Sequence, residues 1–301
     1  MGLISRRSLI TSAAALSALA QEPAFRVDVK LVRILATVKN AEGQLVGGLD
    51  KEEFTIIDNG VPQEVALFER NTSQPLSIAM LVDISRSTQR TKRYELGAVR
   101  KFMKALVREG NPGDALSLYS FNDQVTMESN FTRRLDKLDS ALNRLNSEGA
   151  TALYDAIYLA ADDLESRGGR RVTVVVSDGG DTISKSRFDQ ALEALHRSNT
   201  VLYAVLLVPV AGDAGRNMRG ENALITLTNW TGGKIFLPTA EASLDDAFQQ
   251  ILRDLRTQYL IGYYPRNIEP SRDRFHKVKL AVTRPGHSVA ARNGYFADAL
   301  R

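Results

Sequence analysis

One carboxylate and two hydroxyls stand on alternate residues in Asp83-Ile84-Ser85-Arg86-Ser87, directly after the apolar run 76–82. Alternate residues of an extended backbone project to the same side, so three oxygen donors can converge where a buried strand runs out. Two further elements fit the same site: Thr151 in Gly149-Ala150-Thr151-Ala152-Leu153-Tyr154-Asp155, and Asp178 in Val174-Val175-Val176-Ser177-Asp178-Gly179-Gly180-Asp181. Together they form an oxygen-only set suited to a hard divalent cation. That points to binding through a metal rather than to turnover. Plainer roles are open for the same residues. Ser85 and Ser87 could cap the helix that follows, Thr151 could be the N-cap of a helix starting at Ala152, and Asp155 and Asp181 could be capping or solvated.

Other candidate chemistry is thin. The three histidines, His196, His276 and His287, fall in an expected helix, strand and turn, which suits structural imidazoles. No His-Glu-x-x-His, Gly-x-Ser-x-Gly or Walker-type glycine loop occurs. Gly232-Gly233-Lys234 precedes a strand rather than a helix, so it is no phosphate cradle. The aromatic stripe Tyr259 to Tyr264 reads as strand-face packing.

The elements that must position these residues alternate between strand and helix over 76–257. Strands are expected at 76–82, 115–121, 171–177, 200–208 and 234–237, and helices at 93–108, 135–145, 152–166, 188–197, 222–229 and 244–256. In the last helix Leu244, Ala247, Phe248, Ile251, Leu252 and Leu255 recur at helical spacing. Continuous apolar runs such as 172–176 suit strands covered on both faces, so the fold class is α/β, a doubly wound and mostly parallel sheet. A short antiparallel edge strand is expected at 125–131. Ligands of such sheets bind beyond the carboxyl ends of the strands, where Asp83 and Asp178 both stand.

Both flanks read as strands. Residues 23–70 alternate over 25–38, turn at Asn40-Ala41-Glu42-Gly43, and place Asp58-Asn59-Gly60 where a tight hairpin needs positive φ, with 63–69 completing it. Residues 258–298 offer strands at 258–264, 275–282 and 288–296. Three strands alone bury too little to be stable. The tail is therefore expected to pair with 23–70 in a small β-sandwich into which the α/β domain is inserted. The loop 211–220 is glycine-rich.

The chain begins with Arg6-Arg7 before an alanine-rich apolar run, and then reads Ala18-Leu19-Ala20-Gln21. Basic start, short apolar segment and small-x-small boundary describe a cleavable export signal over 1–20, and the paired arginine resembles a twin-arginine signal. The run falls well short of the ~20 residues a spanning helix needs, so no stable membrane insertion is expected after cleavage. Removing the leader's two arginines from the 39 basic residues leaves 37 against 35 acidic, near neutral, which argues against nucleic acid as a partner. Zero cysteines excludes disulfides and thiolate metal sites and fits a protein that folds before export.

Asp83-x-Ser85-x-Ser87, Thr151 and Asp178, in this order on an alternating β/α chain, resemble the metal-ion-dependent adhesion site of von Willebrand factor type A domains. The flanks resemble the von Willebrand factor A-related proteins of bacteria, notably Acidobacteria. The resemblance implies direct or water-mediated coordination of Mg²⁺ by Ser85, Ser87 and Thr151, with Asp83 and Asp178 completing the shell. Mg²⁺ retains waters and takes few carboxylates, Ca²⁺ prefers more oxygen ligands, and Mn²⁺ can substitute. Asp181 is expected behind the ligands, orienting hydroxyls or waters. The expectation is an exported, periplasmic or extracellular, non-enzymatic module that grips an acidic side chain of a partner protein through the cation. Two rivals stand beside it: an assembly protein whose cation only stiffens the loops, and a metal-assisted hydrolase.

Overall fold

The computed structural model describes residues 30–89, 92–207, 217–238, 241–269 and 274–300. The expected leader, the start of the first expected strand and most of the glycine-rich loop lie outside these residues. Along the chain come β1 (Val32–Lys39), β2 (Phe54–Asp58), β3 (Val61–Gln63), β4 (Leu67–Glu69), β5 (Leu76–Asp83), α1 (Lys92–Glu109), β6 (Ala115–Phe121) and β7 (Val125–Thr132). Then follow α2 (Leu135–Arg144), α3 (Leu153–Glu165), β8 (Arg170–Ser177), α4 (Phe188–Arg197), β9 (Thr200–Leu206) and α5 (Met218–Thr231). The last are β10 (Ile235–Phe236), α6 (Glu241–Arg256), β11 (Tyr259–Tyr263), β12 (Phe275–Val282), β13 (Ser288–Ala291) and β14 (Gly294–Phe296).

The central sheet runs in the order β10-β9-β8-β5-β6-β7. All its pairs are parallel except the edge pair β6–β7, as the sequence pattern implies. Every residue of β5 is buried, because helices cover both faces. Ile78, Met80 and Val82 pack with α1, α2 and α6, while Ala79 and Leu81 pack with α3, α4 and α5. This period-2 split lets one apolar run serve two cores. It leaves Asp83 as the first polar side chain at the carboxyl end. α5 starts earlier than expected, at Met218, because the Asn217 side chain accepts the N–H of Gly220 at 3.0 Å and caps the first turn.

The flanking strands form two four-stranded sheets, β13-β1-β11-β4 and β14-β12-β2-β3. Ile34, Ala36, Tyr259, Ile261 and Tyr263 face Phe54, Ile56, Val278 and Leu280 in one shared core. From the opposite face of the first sheet, Leu35 and Leu260 join the core under α1 and α6, so that sheet is buried on both sides. Asn59 (φ 46°) and Gly60 (φ 86°) close the β2–β3 hairpin.

Two expected strands are split. Over 63–69 only β3 stays with β2, and β4 crosses to β11. Val65 between them turns into the core, and Ala66 bonds Gly262 at 2.7 Å. Over 288–296, β13 pairs with β1 and β14 with β12. The chain changes sheets at Arg292 and Asn293, where Asn293 N–H bonds Trp230 at the end of α5.

Candidate metal centre

Asp83 ends β5 fully buried, and its Oδ1 accepts the N–H of Ser85 at 2.9 Å. That bond curls the chain back, so the buried Ser85 and exposed Ser87 hydroxyls lie 3.0 Å apart. A 3₁₀ turn over Arg86–Thr88 follows, and the Thr88 hydroxyl bonds the carbonyls of Asp83 (3.0 Å) and Ser85 (3.1 Å). Ser85 precedes that turn without capping it, which leaves its hydroxyl to Ser87 and to the site.

The loop before α3 is laced to this turn: Glu148 N–H bonds Ile84 at 2.9 Å and Arg86 N–H bonds Gly149 at 3.3 Å. Asn122 and Asp123, in the β6–β7 turn, brace it from behind. Asn122 donates to the Glu148 carbonyl at 3.1 Å, and Asp123 accepts the N–H of Ala150. Thr151 is buried but does not cap α3, whose N-cap is Ala152. The first N–H groups of α3 go elsewhere, Tyr154 to Asp181 (3.3 Å) and Ser184 (3.1 Å), and Asp155 to Ser184 (3.2 Å). The Thr151 hydroxyl has no hydrogen-bond partner among the described residues.

Asp178 follows β8, and its Oδ1 accepts the N–H of Gly180 at 2.9 Å. Its loop is tied to the Thr151 loop by Thr182 N–H to the Thr151 carbonyl (2.8 Å) and Thr151 N–H to the Thr182 hydroxyl (3.0 Å). α5 seats the loop from the other side. A Cβ on Gly220 would fall 1.7 Å from the Gly179 carbonyl oxygen, and Gly179 itself takes φ +82°, so only glycine allows this approach. A Cβ on Gly180 would lie 3.1 Å from Asp178 Oδ1 and 3.8 Å from Thr151 Oγ1. The absence of that methyl leaves a cradle between two of the expected ligands.

The structure thus brings Asp83, Ser85, Ser87, Thr151 and Asp178 onto three adjoining loops. Asp181 takes the capping role also open to it: its Oδ1 accepts the N–H of Tyr154 at the start of α3 and the Ser184 hydroxyl. Asp155 accepts N–H groups of Lys185 (2.9 Å) and Ser186 (2.7 Å), a loop-holding role. Ser177 escaped the sequence reading. Its hydroxyl donates to Asp83 Oδ2 at 2.6 Å and accepts the N–H of Gly179 at 3.0 Å. A serine ending the run of valines just before Asp178 was the available signal.

Burial pushes the Asp83 carboxyl up to about 6, against the bonds from Ser177 and Ser85, and nearby Asp178 adds to the rise. A dication beside it would favour the ionised form. The 3.0 Å between the two seryl oxygens also matches adjacent ligands of an octahedral ion bound at ~2.1 Å, which stand ~3.0 Å apart. No group of three or more His, Cys, Asp or Glu that could hold a metal occurs among the described residues. Any cation here would rest on hydroxyls and two carboxylates, and the residues present fit Mg²⁺ better than the carboxylate-rich shell Ca²⁺ prefers.

Residues 78–182 match the family model of the von Willebrand factor type A domain. The chain carries a von Willebrand factor type A domain. A von Willebrand factor type A protein from Catenulispora acidiphila superposes with a TM-score of 0.51 at 10% identity, covering 89% of this chain and 75% of that one. The von Willebrand factor domain of the type V pilus tip protein Mfa5 from Porphyromonas gingivalis gives 0.49 at 12%, covering 61% and 97%. The PilB minor pilin of Streptococcus sanguinis, as its D319A mutant, gives 0.48 at 11%, and the match spans 62% of each chain. No curated protein matches the chain. At these identities the likeness is one of fold.

Proposed function

We propose that this von Willebrand factor A domain is an exported protein-binding module that recognises an acidic side chain in a divalent-cation-dependent way. The observation that carries this reading is that the Asp83–Ser87 turn, with its two seryl hydroxyls 3.0 Å apart, is laced to the Thr151 loop, while Thr151 and Asp178 flank the open position at Gly180 and Asp178 lies near Asp83. Those five residues would hold Mg²⁺. When bound, the cation supplies an electrophilic position that a partner carboxylate can occupy, a charge-assisted contact of the kind neutral hydroxyls cannot make alone.

The chain's own residues do the positioning. Ser177 fixes the Asp83 carboxylate, Thr88 pins the seryl turn, and Asp123 and Thr182 hold the Thr151 loop from two sides. Ile183 and Met218 stand exposed on the loop after Asp181 and at the start of α5, apolar surface that suits a protein partner around a polar centre. A hydrolytic role finds no imidazole here, since His196, His276 and His287 lie in α4, in β12 and in the turn before β13.

Calorimetric titration of Mg²⁺ into the wild type and Asp83→Ala tests the site; saturable heats are expected only for the wild type, and equal heats would rule it out. Capture from cell-envelope extract, with Mg²⁺ and with chelator, separates a gripping cation from a merely stiffening one. Retention of the same partner after chelation, alongside lowered stability, would favour the stiffening role. Translocation of the full chain that survives Arg6→Lys with Arg7→Lys would count against the twin-arginine route.

A further inference from the structure

At the opposite end of the central sheet from the seryl turn, a cleft of about 160 Å³ opens between the α/β domain and the sandwich. Arginines 33, 170, 171, 197 and 292 and His196 line it, and no aspartate or glutamate does among the described residues. They come from β1, β8, α4 and the β13–β14 crossover, so the charge is assembled by the junction of the two units.

Two of these guanidinium groups are buried, with Arg170 at 6% and Arg292 at 7% exposure. Among the described residues their hydrogen bonds go to neutral oxygens. Arg170 donates to the carbonyls of Gln74 (2.9 Å) and Leu255 and to the amide of Gln258 (3.5 Å). Arg292 donates to the carbonyls of Gly294 (2.6 Å) and His196 (3.3 Å) and to the Asn199 amide (2.5 Å). Arg33 is exposed and forms no ion pair among the described residues. The neighbouring acids are already engaged: Asp114, the carboxylate whose charge reaches Arg170, is buried and accepts the N–H groups of Leu76 (2.8 Å) and Asn111 (2.8 Å) rather than the guanidinium. Glu193 (2.7 Å) and Asp298 (3.0 Å) neutralise Arg197. Asp58, behind Tyr295, accepts from Tyr263 and Tyr295.

Carbonyl dipoles solvate a buried cation without cancelling its charge, and such a charge is costly unless paired. Each fork also keeps N–H groups beyond those used above, in the geometry that grips carboxylate and phosphate oxygens. A cleft of this volume has room for a tetrahedral anion. We infer that this cleft binds a small oxyanion of the size and charge of inorganic phosphate, clamped between the α/β domain and the sandwich. The site is separate from the seryl turn and acts without metal. An anion held there stiffens the junction, because its ligands come from both units.

Inorganic phosphate titrated into the full chain in metal-free buffer at constant ionic strength tests this. Saturable heat and a raised unfolding midpoint are expected. Arg33→Glu, an exposed change that leaves the fold intact, is expected to weaken binding about tenfold or more, and Arg292→Lys to weaken it through loss of the fork. Asp83→Ala is expected to bind phosphate like the wild type, so this result stands or falls apart from the metal reading. A parallel titration with succinate tells a carboxylate source from a phosphate one. Absence of saturable heat with both anions, or equal affinity in wild type and Arg33→Glu, overturns the inference.

Discussion

The hydroxyl of Ser177, at the end of β8, reaches across to Oδ2 of Asp83, at the end of the adjacent β5, at 2.6 Å. Because Asp178 is the next residue, this bond sets the lateral offset between the two carboxylates of the site. The same oxygen accepts the N–H of Gly179 at 3.0 Å, which anchors the positive-φ turn that exposes Asp178. Ser177→Ala would strand one oxygen of a buried carboxylate and one buried N–H. The expected loss is about 1–3 kcal/mol of stability in metal-free protein, read from urea unfolding. An unchanged midpoint would show that water replaces the hydroxyl and that the offset is set elsewhere.

What the sequence revealed divides by range. The buried run of β5 ending in alternating polar residues is a local pattern, and so is the valine run ending at Asp178; both carried the site's position. Thr151 was ambiguous because a threonine before a helix is also a cap. The cap turned out to be Ala152, with the helix N–H groups taken by Asp181 and Ser184 from a loop about thirty residues away. Asp181 could not be placed without that pairing. The sheet changes at Val65 and Arg292 were hidden for a similar reason. Residues 61–63 and 67–69 carry comparable strand character, and only their distant partners, β2 and β11, separate them. The arginine cleft is the extreme case, since Arg292 meets the His196 carbonyl across 96 residues of chain.

Asp58 offers a test of what holds the sandwich. Its carboxylate is inaccessible to solvent and accepts the hydroxyls of Tyr263 (2.7 Å) and Tyr295 (2.8 Å), with His276 Nδ1 at 3.3 Å. Tyr263 lies on β11 and the other three on the facing sheet, so this carboxylate ties the two sheets. Burial, and then the bond to Asp58, push the Tyr263 hydroxyl well above the ordinary tyrosine range, which keeps it a donor. Asp58→Asn puts an amide donor where hydroxyl donors converge. The expected cost is on the order of 1–3 kcal/mol, measured by denaturant unfolding, with Mg²⁺ affinity unchanged. A neutral result would mean that the tyrosines reorient to accept from the amide and the network adds no net stability.

His196 gives the protein a defined acid sensitivity. Its ring is buried at the end of α4, stacked on Phe275 at 5.2 Å, with Nε2 3.1 Å from the Trp230 carbonyl. Burial first, and then the positive charge of Arg292, bring its pKa from 6.5 down to about 4, outweighing the carbonyl's opposing effect. Between those values the unfolded chain binds the proton and the folded one does not. Stability from this group is therefore complete above about pH 6.5 and declines as pH falls toward 4, by a total of about 3 kcal/mol. Thermal midpoints taken across that window should fall with acidification in the wild type. His196→Gln keeps a donor for Trp230 and does not titrate, so its midpoint should fall less steeply over the same interval. If both proteins follow the same slope, the proton is taken up elsewhere, and His196 is not what makes this junction sensitive to acid.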